Sequence, residues 1–177
     1  MRPIAAATIL AALFLSPSIA SAQTRQVPTP ASVIGFEPGT DRKLPEWQQV
    51  VAYFKALDAA SPRVQLHTLG KTTLGRPFLA AFIADSATLA NLPKIKETQR
   101  KLADPRLTSA EQRATLERDA KVVVLVTSSI HSTEVGGILT PLSLAYRLAT
   151  SEDAESQAIR KNTLVILVPS LNPDGVD

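Results

Sequence analysis

Two uninterrupted apolar runs constrain this chain more than any other feature. Val122 to Val126 and Leu164 to Val168 are short and rich in Val, Leu and Ile. Runs of this kind belong to strands covered on both faces of a sheet. Between them, Val135 to Ala149 carries Ile138, Leu142, Leu144 and Ala145 at helical spacing, and Glu152 to Lys161 reads as a short polar helix. The second half of the chain is therefore strand, helix, strand.

The first half supplies a hairpin and its cover. In Glu46 to Ala59, Trp47, Val50, Val51, Phe54 and Leu57 share one helical face. Val64 to Leu69 alternates, with Gln65 and His67 on its polar side, and Pro77 to Ala84 is a second apolar run. Gly70 to Arg76 between them suits a hairpin connection. Residues 86–120 are charged and amphipathic, interrupted at Asp104-Pro105, with Thr108 as N-cap and Glu111 reaching back as a capping box. Residues 23–45, with four prolines, read as an extended lead-in. The class is α/β: a mixed parallel and antiparallel sheet with helices on both faces.

Residues 1–22 stand apart. Arg2, an apolar stretch from Ile4 to Leu15, then Pro17 and a terminal Ala20-Ser21-Ala22 follow the layout of a secretory signal, with cleavage before Gln23. The apolar stretch is short against the roughly 20 residues of a membrane span. The expected product is exported, periplasmic or extracellular, without stable membrane association. With no cysteine, it has neither a disulfide nor a thiolate zinc site, so any metal is held by His, Asp, Glu and water. One Trp and two Tyr are few for a base-stacking platform, and the net charge of +3 is spread without a basic block, so no nucleic-acid partner is expected.

Chemistry concentrates at His131-Ser132-Thr133-Glu134, between the first apolar run and the helix that follows it. The crevice beyond the carboxyl ends of strands is where ligands bind in open α/β sheets. An imidazole and a carboxylate three positions apart there can turn toward one point and suit zinc. Equally, Glu134 is an acidic residue where a helix N-terminus favours one. Asn172-Pro173-Asp174-Gly175, after the second run, suits a tight turn. His67, Arg76 and Asp174 read as structural residues.

Three segments resemble the zinc carboxypeptidases. Leu69 to Phe78, with Gly75-Arg76 opening a strand, is similar to that family's early hairpin; Ser128 to Gly137 resembles its first zinc motif; Pro169 to Gly175 resembles its strand-end Asn-Pro-Asp-Gly segment. Their order and spacing agree with the family across residues 46–177. The resemblance implies that His131 and Glu134 are zinc ligands and that the substrate is a peptide losing its C-terminal residue. It further implies a third His ligand, a general-base Glu and carboxylate-binding Arg residues beyond Asp177. On that reading the chain is the N-terminal portion of a catalytic domain, inactive alone and weak in zinc binding. A related zinc amidohydrolase, of murein-peptide amidase or deacylase type, and a non-catalytic exported binding module are the alternatives.

Overall fold

The computed structural model describes residues 26–177. The proposed signal segment and its cleavage site lie outside them. The hairpin forms where expected: β1 (Val64–Lys71) pairs antiparallel with β2 (Pro77–Ile83), with an irregularity between Thr68 and Gly70. β2 pairs antiparallel with β4 (Thr163–Val168), and β4 pairs parallel with β3 (Val122–Thr127). The order β1-β2-β4-β3 makes a mixed sheet with β4 inside it.

Alternation along β4 sorts the core into two layers. Val165 and Leu167 face one side, where they meet Leu79, Ala81 and Ile83 of β2 and the helices α1 (Pro30–Ile34), α2 (Trp47–Ala60) and α6 (Gly136–Thr150). Leu164 and Ile166 face the other, with Phe82, Val123, and Leu89, Leu92 and Ile95 from α3 (Ser86–Ala90) and α4 (Leu92–Ala103). Helices thus cover both faces. The His67 ring lies 4.5 Å from the Phe82 ring on this second side, half-buried, and serves packing.

Four local expectations are corrected. Within 23–45 the chain is not extended throughout. Thr29 caps α1 through its hydroxyl, Gly35 ends the helix at φ +87°, and Ile34 is buried in the main core. On α2 Tyr53, absent from the expected face, is buried with it, while Val51 packs against the core only partly buried. The cap of α5 (Ala110–Asp119) is Ser109, paired with Gln112, one residue later than expected; the 3-10 turn Pro105–Leu107 takes up Thr108 as its end. Finally, β3 is not covered on both faces. Val122, Val124 and Leu125 are exposed, and only Val123 and Val126 turn into the two cores. β3 has β4 as its one strand neighbour among the described residues, so an apolar run that reads as interior lies here along a sheet edge.

Two polar features lie inside. Arg160, on α7 (Ala154–Asn162), is 4% exposed and donates to the carbonyls of Leu148 (3.0 Å) and Ser151 (2.6 Å). It thereby satisfies acceptors at the C-terminal end of α6, where a cation is also favoured by the helix dipole. Tyr53 is the reverse case. Its ring is fully buried edge-on to Phe54, its Oη has no hydrogen-bond partner, and burial, with Tyr146 adding, pushes the phenol well above its ordinary range. A buried hydroxyl left unpaired costs on the order of 1–3 kcal/mol. Tyr53→Phe is expected to stabilise the protein by about 1 kcal/mol, read as a rise of roughly 2–4 °C in Tm. A lower Tm in that variant would show that the hydroxyl is satisfied in solution.

Candidate metal centre

Three connections meet at one end of the sheet. β3 and β4 run parallel, so the loops that leave their C-terminal ends are neighbours, and the antiparallel pairing of β2 with β4 brings the β1–β2 turn to the same end. The ladder between β3 and β4 continues past both strands. Ser128 N donates to Val168 O (3.1 Å), Leu171 N to Ser128 O (2.8 Å) and Asn172 N to Ser129 O (3.2 Å). The sequence between Ser128 and Asn172 is thereby zipped together just before His131.

Ser129 takes a left-handed conformation, φ +52°. A residue with a Cβ is disfavoured there, and here it turns the chain out of the strand. Gly137 packs against this bend: a Cβ at that position would come within 3.2 Å of the Ser129 Cα and N atoms. The bend is followed by two tight turns, with Glu134 N donating to His131 O (3.2 Å) and Gly137 N to Glu134 O (2.8 Å). The first of them places His131 and Glu134 on the same side. His131 Nδ1 lies 3.0 Å from Glu134 Oε1, and both side chains are open to solvent, 66% and 62% exposed.

Convergence of two donors fits a shared cation. With bonds of roughly 2.1 Å and tetrahedral angles, two zinc ligands lie about 3.4 Å apart, so the pair needs only a small spread of the side chains. Imidazole nitrogen with carboxylate oxygen is a donor set suited to zinc. Among the described residues no group of three or more His, Asp or Glu side chains is placed to hold a metal, so the pair stands as two donors without a third. His67, on β1, does not join them.

The Asn-Pro-Asp-Gly segment does more than turn the chain. Asn172 Oδ1 accepts from Gly175 N (3.2 Å), as a turn requires, while its Nδ2 donates to Ile130 O (3.2 Å), one residue before His131. Ser170, fully buried, donates from Oγ to Ser129 O (3.0 Å) and accepts from Asn172 N (3.1 Å). Asp174 reaches the hairpin, accepting from Thr72 Oγ1 (2.5 Å) and Leu74 N (3.2 Å). Arg76 closes the same contact from the other direction, donating to the carbonyls of Pro173 (3.0 Å) and Asp174 (2.9 Å) and pairing with Asp177 (2.7 Å). Sequence reading took Arg76 and Asp174 as structural, and they are, but as links between two turns about 100 residues apart rather than within one. No local pattern signals such a link.

A mixed β1-β2-β4-β3 sheet between helical layers, with loops gathered at the C-terminal ends of its parallel strands, is an α/β architecture. The zinc carboxypeptidase family model matches residues 50–177, and the chain belongs to that family. Solved structures agree on the fold. Carboxypeptidase A from Helicoverpa armigera aligns with a TM-score of 0.53 at 17% identity, over 82% of this chain and 31% of that one. Thrombin-activatable fibrinolysis inhibitor aligns at 0.51 and 12% identity, over 76% of this chain and 27% of the other. Its bovine form, in complex with a tick carboxypeptidase inhibitor, gives the same TM-score and identity over 33% of its length. The chain thus spans about a third or less of the chains it resembles. A comparison with curated proteins gave no match.

Proposed function

We propose that this chain carries the first half of the zinc site of a metallocarboxypeptidase, with His131 Nδ1 and Glu134 Oε1 as two of the ligands. The observation that carries the reading is their 3.0 Å convergence on the loop after β3, in a chain of the zinc carboxypeptidase family. A stability role does not account for the pair, because an exposed ion pair contributes about 0–1 kcal/mol at most. Bound zinc supplies polarisation of a scissile carbonyl and a water whose pKa is lowered to about 7. What this chain supplies is two donors held close together at a sheet end.

The rest of the reaction needs groups that we assign outside residues 26–177: a third ligand, a general base and a cation for the substrate's C-terminal carboxylate. Arg76 is not that cation, since its guanidinium is committed to Pro173, Asp174 and Asp177. Export of the protein, read from residues 1–22, belongs to the same proposal; among the described residues no helix is long and apolar enough to cross a membrane.

The test is a pair of assays on N-blocked peptides with free and with amidated C-termini. The 177-residue chain alone is expected to bind zinc weakly and to release nothing. A longer protein containing it is expected to release C-terminal residues from the free-acid peptides only, and to lose that activity to a chelator. Equal cleavage of amidated peptides would move the function to a related amidohydrolase. Chelator-sensitive activity in the 177-residue chain would overturn the assignment of the missing groups to other residues.

A further inference from the structure

We infer that Asn172 and Ser170 are positioning residues for the His131–Glu134 pair, so that the turn after β4 sets the metal-binding competence of the loop after β3. The inference rests on the zinc reading of that pair. Asn172 Nδ2 holds Ile130 O, the carbonyl adjoining His131, at 3.2 Å. Ser170 Oγ and Asn172 N both donate to Ser129 O, at 3.0 and 3.2 Å. Ser129 is the residue whose left-handed conformation starts the bend, and Gly137 backs it from the helix side.

The need for such a clamp follows from the surroundings. His131 and Glu134 are exposed, so no packed core fixes their rotamers. Among the described residues β3 has one strand neighbour, β4, so the contacts there that hold the strand feeding the loop come from that side. The backbone from Ser129 to Ile130 is then fixed chiefly by partners across β4. Groups that orient ligands from outside the metal's own shell change affinity by roughly 10–100-fold when removed.

Asn172→Asp separates the clamp from the turn. The new carboxylate still accepts from Gly175 N but has no proton for Ile130 O. Ser170→Ala removes the second contact at a fully buried site and serves as an independent variant. In a longer protein containing this chain, zinc affinity is measured by chelator competition, and Co(II) is substituted to read the visible absorption of the site. The expected result for Asn172→Asp is zinc affinity reduced about 10–100-fold with a changed Co(II) spectrum in a protein that remains folded by circular dichroism. Hydrogen exchange in the metal-free protein is expected to quicken at the Glu134 and Gly137 amides in both variants. Unchanged affinity, spectrum and exchange would overturn the inference. His131→Ala is run alongside: if it binds zinc like the parent, the zinc reading fails, and the exchange arm alone then decides whether Asn172 and Ser170 hold the loop.

Discussion

In a longer protein containing this chain, His131→Ala is expected to abolish zinc binding, the largest single effect on function among the residues described. The imidazole is one of only two convergent donors among the described residues. Removing it leaves Glu134 as a lone carboxylate on a solvent-exposed turn, and a single carboxylate competes poorly with water for zinc. Removal of outer hydrogen-bond partners already costs metal sites roughly 10–100-fold, so loss of a ligand is expected to exceed about 100-fold. The fold should not suffer. With the His131 side chain 66% exposed and the neighbouring Glu134 side chain 62% exposed, the change in stability is expected within about 0.5 kcal/mol. That separation makes the experiment decisive. Zinc stoichiometry by elemental analysis after dialysis, with circular dichroism to show an intact fold, is the measurement. A folded variant retaining parental zinc would remove His131 from the site. Glu134→Gln, which keeps size and removes charge, should weaken binding in the same direction.

Why the His131–Glu134 pair is legible in the sequence, while the contacts around it are not, follows from the range of the interactions. His131 and Glu134 are three residues apart between a strand and a helix, and their convergence needs only one local turn. The hairpin, the face of α2 that carries Trp47, Val50, Phe54 and Leu57, and the strand character of both apolar runs are also local, set by periodicity and turn residues. What failed was non-local. The pattern Val122 to Val126 cannot state how many neighbours its strand will have, and β3 is exposed because coverage is decided by pairing. Asn172 reads as a turn former because its Gly175 contact is local, whereas its Ile130 contact joins residues 42 apart. Ser109 displaced Thr108 as the cap because a 3-10 turn consumes the intervening residues, a matter of one-position register. Residues 30–34 are helical despite the prolines nearby because Pro30 occupies the first turn, where a missing N–H is harmless.

The largest expected effect on stability belongs to Trp47. It opens α2, is 1% exposed, and is surrounded by the main core. Its Nε1 donates to Pro77 O (3.2 Å) and its backbone N to Asp177 Oδ1 (2.7 Å), so it ties the helix to the start of β2 and to the segment after β4. Trp47→Ala removes the indole from a closed space and leaves Pro77 O without that donor; such truncations cost about 3–5 kcal/mol. For a domain of this size the Tm should fall by roughly 10 °C. Trp47→Phe keeps an aromatic ring but loses the N–H and part of the indole's volume, for which about 1–3 kcal/mol is expected. If both variants fell equally, the hydrogen bond rather than the ring would dominate; if neither fell, this end of α2 would not be part of the cooperative core. The location gives the result a further consequence. Pro77 adjoins Arg76, whose guanidinium holds Pro173 and Asp174, and Asp174 is in the turn that begins with Asn172. Loosening Trp47 should therefore slacken the contacts that reach the Ile130 carbonyl. In Trp47→Ala the loop bearing His131 is expected to show faster amide exchange at a temperature where the β1–β2 ladder is still protected.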